Sequence, residues 1–448
     1  MGKLFSKSVS VLVMLLCRVG LSAAPIVIGD WSELDTESVL PGTEIVLGDH
    51  LYADTIIRIK FSGTKEKPII IRAGNPGKVV FSGASRIDVF GSYLDISGLM
   101  FDNPSTTVET VFRTRPETEN VHIHNCCIRS DETPETVARF SKTRYHWMHI
   151  QGCRHEIDHC SFIGKFSLGL MLNLQPVDEK TPMYCRVHNN FFSRPGRILN
   201  ERGSTVNGQE SFRIGLSQTC WCDARCEVKE NWFYRCNGEV EVISNKCCGN
   251  LYEGNLLESC EGMLTLRHGN NCTVRGNIIL GEGVRRSGGI RVVGSGHTVE
   301  DNIIKDVTGS KVTAAIAISS GSTNPGRADY WPADNCTVSN NTVINCTEAL
   351  AVNYKTSLKG QTPPKNLVVK KNRFICGARS KSVSLFAIPQ KDITFRANSI
   401  YGGIQSGCEL KTARRRPSEP DYAPAADSIR SGAGCSFLKP GYGPPEEY

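Results

Sequence analysis

One short unit keeps returning along this chain: a strand rich in valine or isoleucine, a polar residue that is most often asparagine, then two or three more apolar residues. It reads Glu230-Asn231-Trp232-Phe233, Gly254-Asn255-Leu256-Leu257, Gly276-Asn277-Ile278-Ile279 and Asp301-Asn302-Ile303-Ile304. Later copies are Asn340-Asn341-Thr342-Val343, Lys371-Asn372-Arg373-Phe374 and Ala397-Asn398-Ser399-Ile400; earlier ones are marked by Asn125, His159 and Asn190. The closest copies lie 24, 22 and 25 residues apart, and the wider gaps 190–231 and 302–341 hold loop insertions. A period in the low twenties, with short strands and no helix between them, predicts an all-β fold: a single-stranded right-handed parallel β-helix, or solenoid. A solenoid grows by adding coils, so 448 residues do not require several compact domains. Asparagine at one fixed turn per coil can stack, each amide bonding the next and satisfying polar groups of the turn. A β-sandwich is the competing all-β fold, but its turns would not fall at one repeating asparagine.

Lys3 and Lys7, the apolar run Val9 to Cys17 and the small residues through Ala24 have the layout of a secretory signal peptide. The run is too short to span a membrane, and no other stretch is long enough. The expected organisation is a signal peptide over 1–24, a β-helix over 25–402, and an irregular Pro-, Gly-, Arg- and Ser-rich tail over 403–448 that wraps the end of the solenoid. The expected location is secreted or periplasmic. Without Cys17, 18 of the 19 cysteines remain, an even number that permits disulfides in an exported chain. Cys220, Cys222 and Cys226 lack an obvious fourth ligand for structural zinc, which leaves a loop disulfide or buried thiols. Cys272, Cys336 and Cys346 fall at equivalent repeat positions and read as small residues stacked coil upon coil.

The formal charge of +7 is spread along the chain rather than gathered on one element, which argues against a nucleic-acid binder and fits attraction of a polyanion. The chemistry concentrates in neighbouring coils. In Asn237-Gly238-Glu239-Val240-Glu241-Val242-Ile243, strand alternation turns Val240 and Val242 inward and leaves Glu239 and Glu241 on the outer face. Two such carboxylates, roughly 7 Å apart, invite a cation, and their hard oxygens suit calcium, with Asn207 available for a further carbonyl ligand. One coil on, Leu264 and Leu266 point in and Thr265 and Arg267 out, with Thr265 expected to stack on Glu241. Arg213 and Arg291 share this face by parity, and Lys246 lies just past the strand end.

These segments resemble polysaccharide lyase family 6, which contains alginate lyases and the dermatan-cleaving chondroitinase B. The likeness is carried by Asn207-Gly208-Gln209-Glu210, Glu239-Val240-Glu241, Asn245-Lys246, Leu264-Thr265-Leu266-Arg267-His268-Gly269-Asn270, Gly164-Lys165 and Gly288-Gly289-Ile290-Arg291-Val292. It extends over roughly residues 26–400. The resemblance implies that Asn207, Glu239 and Glu241 hold Ca2+, that Lys246 is the Brønsted base and that Arg267 serves as or assists the acid. It further implies that Arg213, His268 and Arg291 bind sugar carboxylates. Gln209 departs from the family, which often has glycine there.

The reaction so implied is calcium-assisted β-elimination in an acidic polysaccharide, with alginate favoured over dermatan sulfate. Two other classes stay open on the residues alone. A β-helix glycoside hydrolase would use Glu239 and Glu241 as acid and base. A carbohydrate-binding β-helix would bind without turnover.

Overall fold

The computed structural model describes residues 24–106, 110–354 and 361–438. The expected signal segment lies, but for Ala24, outside them. Strands follow one another in a three-beat rhythm, and each pairs in parallel with the strand one coil before and one coil after. Three long sheets result. Sheet one has 14 strands, from Ile26–Ile28 to Ile393–Arg396; sheet two has 13, from His50–Ala53 to Ser399–Tyr401; sheet three has 13, from Ile56–Ile59 to Ile404–Ser406. This is the right-handed parallel β-helix that the repeat predicts.

The asparagines stand at the turn between sheets one and two. Asn190, Asn231, Asn255, Asn277, Asn302, Asn341, Asn372 and Asn398 form one continuous ladder, each Nδ2 donating to the next Oδ1 at 2.9–3.0 Å. Each backbone N–H on the ladder also donates to the next side chain, as from Asn255 to Asn277 at 2.9 Å. The residue before each ladder position turns through positive φ, from Asn189 and Glu230 to Lys371 and Ala397. In the first two copies the ladder place belongs to sulfur: the N–H of Cys160 donates to Asn190 Oδ1. Asn125 and His159 occupy the positive-φ position before it.

Inward side chains stack in files along the axis. Phe162, Phe192 and Phe233 are fully buried, with successive ring centroids 4.8 and 4.6 Å apart. The described cysteines all carry free thiols and most are buried, including Cys272, Cys336 and Cys346. They fill core space as small residues do.

Among the described residues, α1 (Pro134–Phe140) interrupts the strand pattern and α2 (Ala423–Gly432) follows it. The segment expected to be an irregular tail holds a last strand, Ile404–Ser406, and then α2. Cys408 and Leu410 pack on the core at the last coil, and the chain then returns along sheet two. Ala426 and Ile429 of α2 pack on an outward apolar row that includes Phe191, Trp232, Leu256 and Ile278. Arg430 pairs with Glu258 at 2.5 Å, and Glu258 also accepts from Trp232 Nε1 at 2.9 Å. The chain then runs back toward the early coils, where Ser436 donates to Asn125 and Cys435 to Ser161.

Candidate active site

The outer face of sheet three carries a polar file. Register places Arg58, Asp88, Arg113, His149, Asn173, Arg213, Ser244, Thr265 and Arg291 on successive coils. Parity therefore sets Arg213, Thr265 and Arg291 on one face, as expected. Thr265, however, stacks on Ser244 and not on Glu241. A bulge between Glu241 and Ile243 resets the count. For the same reason the expected alternation fails at Val240, which is 45% exposed, while Val242 is buried. Glu239 precedes the strand Glu241–Asn245, and its carboxylate accepts the N–H groups of Gly208 (2.7 Å) and Gln209 (3.0 Å).

The register that pairs Phe212 with Ile243 and Arg213 with Ser244, carried three residues back, sets Glu210 over Glu241. Glu210, Glu239 and Glu241 converge, with one oxygen of each within 4.8 Å of the others. Glu210 is the member that sequence reasoning missed. The shared register was the signal for it, but Glu210 lies before the strand Phe212–Ile214, where strand alternation does not reach. Asn207 is exposed and lines a cavity of about 270 Å³ together with Glu239, Val240, Arg197 and Glu261. Gln209 is buried and ties the neighbouring loop, with its side chain bonded to Ile198 N at 2.8 Å and Val206 O at 2.7 Å.

Four cations surround the three acids. Glu210 Oε1 lies 3.6 Å from Arg213 Nη1 and 3.8 Å from Lys246 Nζ. Glu241 Oε1 lies 3.9 Å from Arg267 Nε and 4.0 Å from Arg291 Nη1. Lys246 and Arg267 follow directly on Asn245 and Leu266, which pair in register, so the two side chains start side by side at the edge of the sheet. Asn173 links this centre to the earlier coils, accepting from Arg213 at 3.3 Å and contacting His149 Nδ1 at 2.8 Å.

The acids fit a bound cation. Burial and the charge of Glu210 push the Glu239 carboxyl up to about 7, even against two backbone donors. Glu210 Oε2 is buried with no hydrogen-bond partner. Crowded carboxylates with an unpartnered oxygen form a hard-oxygen set of the kind calcium takes. His268, expected to help bind sugar carboxylates, is buried next to Arg267. Burial, with Arg267 and Lys246 nearby, lowers its pKa to about 3, so it is neutral at pH 7. Its Nε2 meets Ser217 Oγ at 3.1 Å and its Nδ1 is buried without a partner. Lys165, in another segment of the family likeness, is buried and bonds Ser167 O and Leu168 O, a packing role.

The two long insertions supply aromatic residues. The Tyr330 ring lies 3.7 Å from the Arg267 guanidinium and 4.9 Å from that of Arg291. Trp331 and Trp221 meet edge to face at 5.1 Å beside His268. Aromatic residues inside the wide gaps of the repeat were the sequence signal for them.

The profile of the Chondroitinase B family matches residues 32–406. Among solved structures, the family 6 alginate lyase AlyGC superposes with a TM-score of 0.82 at 25% identity, over 93% of this chain and 57% of its own. The chain thus spans just over half the length of that enzyme. A mannuronic-acid-specific family 6 lyase from the human gut microbiota matches at 25% identity with a TM-score of 0.76, over 90% and 92% of the two chains. The family 6 polysaccharide lyase of Pseudopedobacter saltans gives 23% and 0.71, over 92% and 100%. No curated protein sequence gives a significant match. The parallel β-helix of this chain is the fold that these family 6 lyase structures share. The chain belongs to polysaccharide lyase family 6.

Proposed function

We propose that this groove cleaves an acidic polysaccharide, alginate, by β-elimination on an exported chain. The observation that carries the reading is the placement of Lys246 beside Arg267 at the edge of a three-carboxylate cluster. The similar family 6 alginate lyase AlyGC and the mannuronic-acid-specific family 6 lyase support the substrate, and the run from Val9 to Cys17 supports export.

A uronate carries a hydrogen at C5 beside its carboxylate, and that hydrogen is not acidic enough to remove while the carboxylate keeps its full charge. Calcium held by Glu210, Glu239 and Glu241, with Asn207 in reach of the same cavity, would supply the charge neutralisation that makes the proton removable. Arg213 and Arg291 would orient the sugar carboxylates, and Tyr330 would hold the Arg267 and Arg291 planes in place. Lys246, in its unprotonated form, takes the C5 proton on Nζ. The electron pair becomes the C4–C5 double bond, and the C4–O4 bond breaks. Arg267 stabilises the departing oxygen, which takes its proton from water, because guanidinium does not give one up near neutral pH.

The hydrolase reading fits less well. Glycosidase carboxylates flank a bond from two sides, whereas Glu239 and Glu241 converge on one point with Glu210. The test is the ultraviolet absorbance of unsaturated sugar ends, measured with alginate, its mannuronate- and guluronate-enriched blocks and dermatan sulfate. Absorbance growing on alginate supports the proposal. Growth only on dermatan sulfate moves the substrate, new reducing ends without absorbance mean hydrolysis, and binding without product means a lectin-like role.

A further inference from the structure

A second group of metal-type ligands lies away from the groove, on the outer face of sheet one. The strand Val121–His124 turns Val121 and Ile123 into the core and stands His122 and His124 side by side outside. Their rings stack, with centroids 4.3 Å apart and planes at 17°. The strand one coil earlier places Asp95 opposite His122. One Asp95 oxygen lies 2.9 Å from His122 Nδ1 and the other 2.9 Å from His124 Nε2. One ligand atom from each of the three residues lies within 4.8 Å of the others. All three side chains keep about a third of their surface exposed, 29–34%, so an ion can reach them from solvent.

We propose that Asp95, His122 and His124 form a binding site for a borderline divalent transition metal of the zinc class. The ligand atoms would be His122 Nδ1, His124 Nε2 and one Asp95 oxygen, with water as the fourth. Two imidazoles and one carboxylate suit zinc, whereas calcium takes oxygen ligands alone. A second observation points the same way. Asp158, one coil later, sets its Oδ1 2.5 Å from His122 Nε2. A carboxylate accepting from one ring nitrogen fixes the tautomer and turns the lone pair of the other nitrogen outward, the arrangement that supports metal-bound histidines. Here that other nitrogen faces Asp95. Asp158 is itself held, its Oδ2 lying 2.6 Å from His159 Nδ1. Binding replaces the proton between His122 Nδ1 and Asp95 with the metal and releases that proton to solvent.

The test uses the full chain without a histidine tag, freed of metals with a chelator and then kept in excess calcium so that the groove carboxylates are occupied. Zinc is titrated by calorimetry, and cobalt(II) by visible absorption. The expected result is one tight equivalent of zinc and weak cobalt ligand-field bands without intense sulfur-to-metal charge transfer. His122→Gln and His124→Gln should abolish that equivalent, and Asp158→Asn should weaken it by about 10- to 100-fold. Circular dichroism checks that each variant is folded, and the cobalt spectrum of the unaltered chain stands independently of the variants. Strong charge transfer, which would place the metal on cysteine thiols, overturns the proposal. So does an unchanged equivalent in folded His122→Gln, or no binding at all.

Discussion

At the scale of single residues, Lys246 and Glu210 lie together but are expected to do different work, the first on the C5 proton and the second on the cation. A positioned general base typically contributes about 10²–10⁴-fold, so Lys246→Ala is expected to lose at least about 100-fold in kcat. Oligosaccharide affinity should survive, because Arg213, Arg267 and Arg291 remain. Lys246→Arg should fail as well, since guanidinium stays protonated. Turnover and affinity for both variants on one substrate decide the matter, and near-normal turnover in Lys246→Ala would remove lysine from the mechanism. Glu210→Gln is expected to weaken calcium and also to change how stability depends on pH. The folded pKa of Glu239 is raised from 4.5 to about 7. Without metal, the folded protein therefore holds a proton that the unfolded chain releases, and this group's contribution makes stability fall as pH rises from about 4.5 to about 7. Calcium should offset the loss. In Glu210→Gln, where the repelling charge is gone, the metal-free slope should flatten. Thermal midpoints at pH 5 and 8, with calcium and with chelator, give the comparison; equal slopes in both proteins would mean that Glu210 does not act on Glu239. Arg213, Glu239, Glu241, Lys246, Arg267 and Arg291 were legible because parity or a short motif exposes them. Glu210 was not, because its place over Glu241 depends on the register between two strands and lies before the strand Phe212–Ile214, where alternation does not reach.

At the scale of elements, the asparagine ladder is a chain of buried amides that depend on their neighbours. Asn277 donates to Asn302 Oδ1, Tyr252 O and Arg275 O, and accepts from both the backbone and the side chain of Asn255. Asn277→Ala leaves several of these buried groups bare, at about 1–3 kcal/mol each. The expected outcome is a clearly lowered thermal midpoint, and a midpoint within error of the unaltered protein would show that the ladder contributes little. The ladder could be read directly from sequence because asparagine recurs at one phase. The earliest copies misled by one residue, since there a cysteine takes the ladder place and the polar marker precedes it. The α2 helix was hidden for another reason. It is short, sits in a Pro- and Gly-rich stretch, and buries only Ala426 and Ile429. Its partner row, Phe191, Trp232, Leu256 and Ile278, reads as strand core, although these side chains face outward and are covered from outside. Putting a charge at Ile429 should detach the helix, so Ile429→Asp is expected to open the 423–438 segment to protease while sheet content by circular dichroism stays unchanged. A segment still protected would mean that the Arg430–Glu258 pair and the contacts of Cys435 and Ser436 hold it without the apolar face.

At the scale of the whole molecule, charge is distributed so that one face stands apart. On sheet one, outward ion pairs largely neutralise themselves, as with Arg72 and Glu44, Arg186 and Glu156, and Arg275 and Glu253. On sheet three, Arg213, Lys246, Arg267 and Arg291 face carboxylates that a bound calcium would claim, which leaves the cations to attract a polyanion. The net charge of +7 adds a weaker pull of the same sign. A long acidic polymer approaching such a groove is steered by a field that salt screens, over a length that falls from ~30 Å at about 0.01 M to ~3 Å at about 1 M. With calcium saturating throughout, KM for the polymer is expected to rise by about tenfold or more across that range. Once the sugar is seated, Lys246 and Arg267 would act at contact distance and behind protein, where salt reaches poorly, so kcat should change little. Steady-state rates at several sodium chloride concentrations separate the two parameters. A KM that ignores salt would mean that binding rests on hydrogen bonds and on aromatic residues such as Tyr330 and Trp331 rather than on the charged face. A kcat that falls in step with binding would place the decisive charge interactions in the transition state instead.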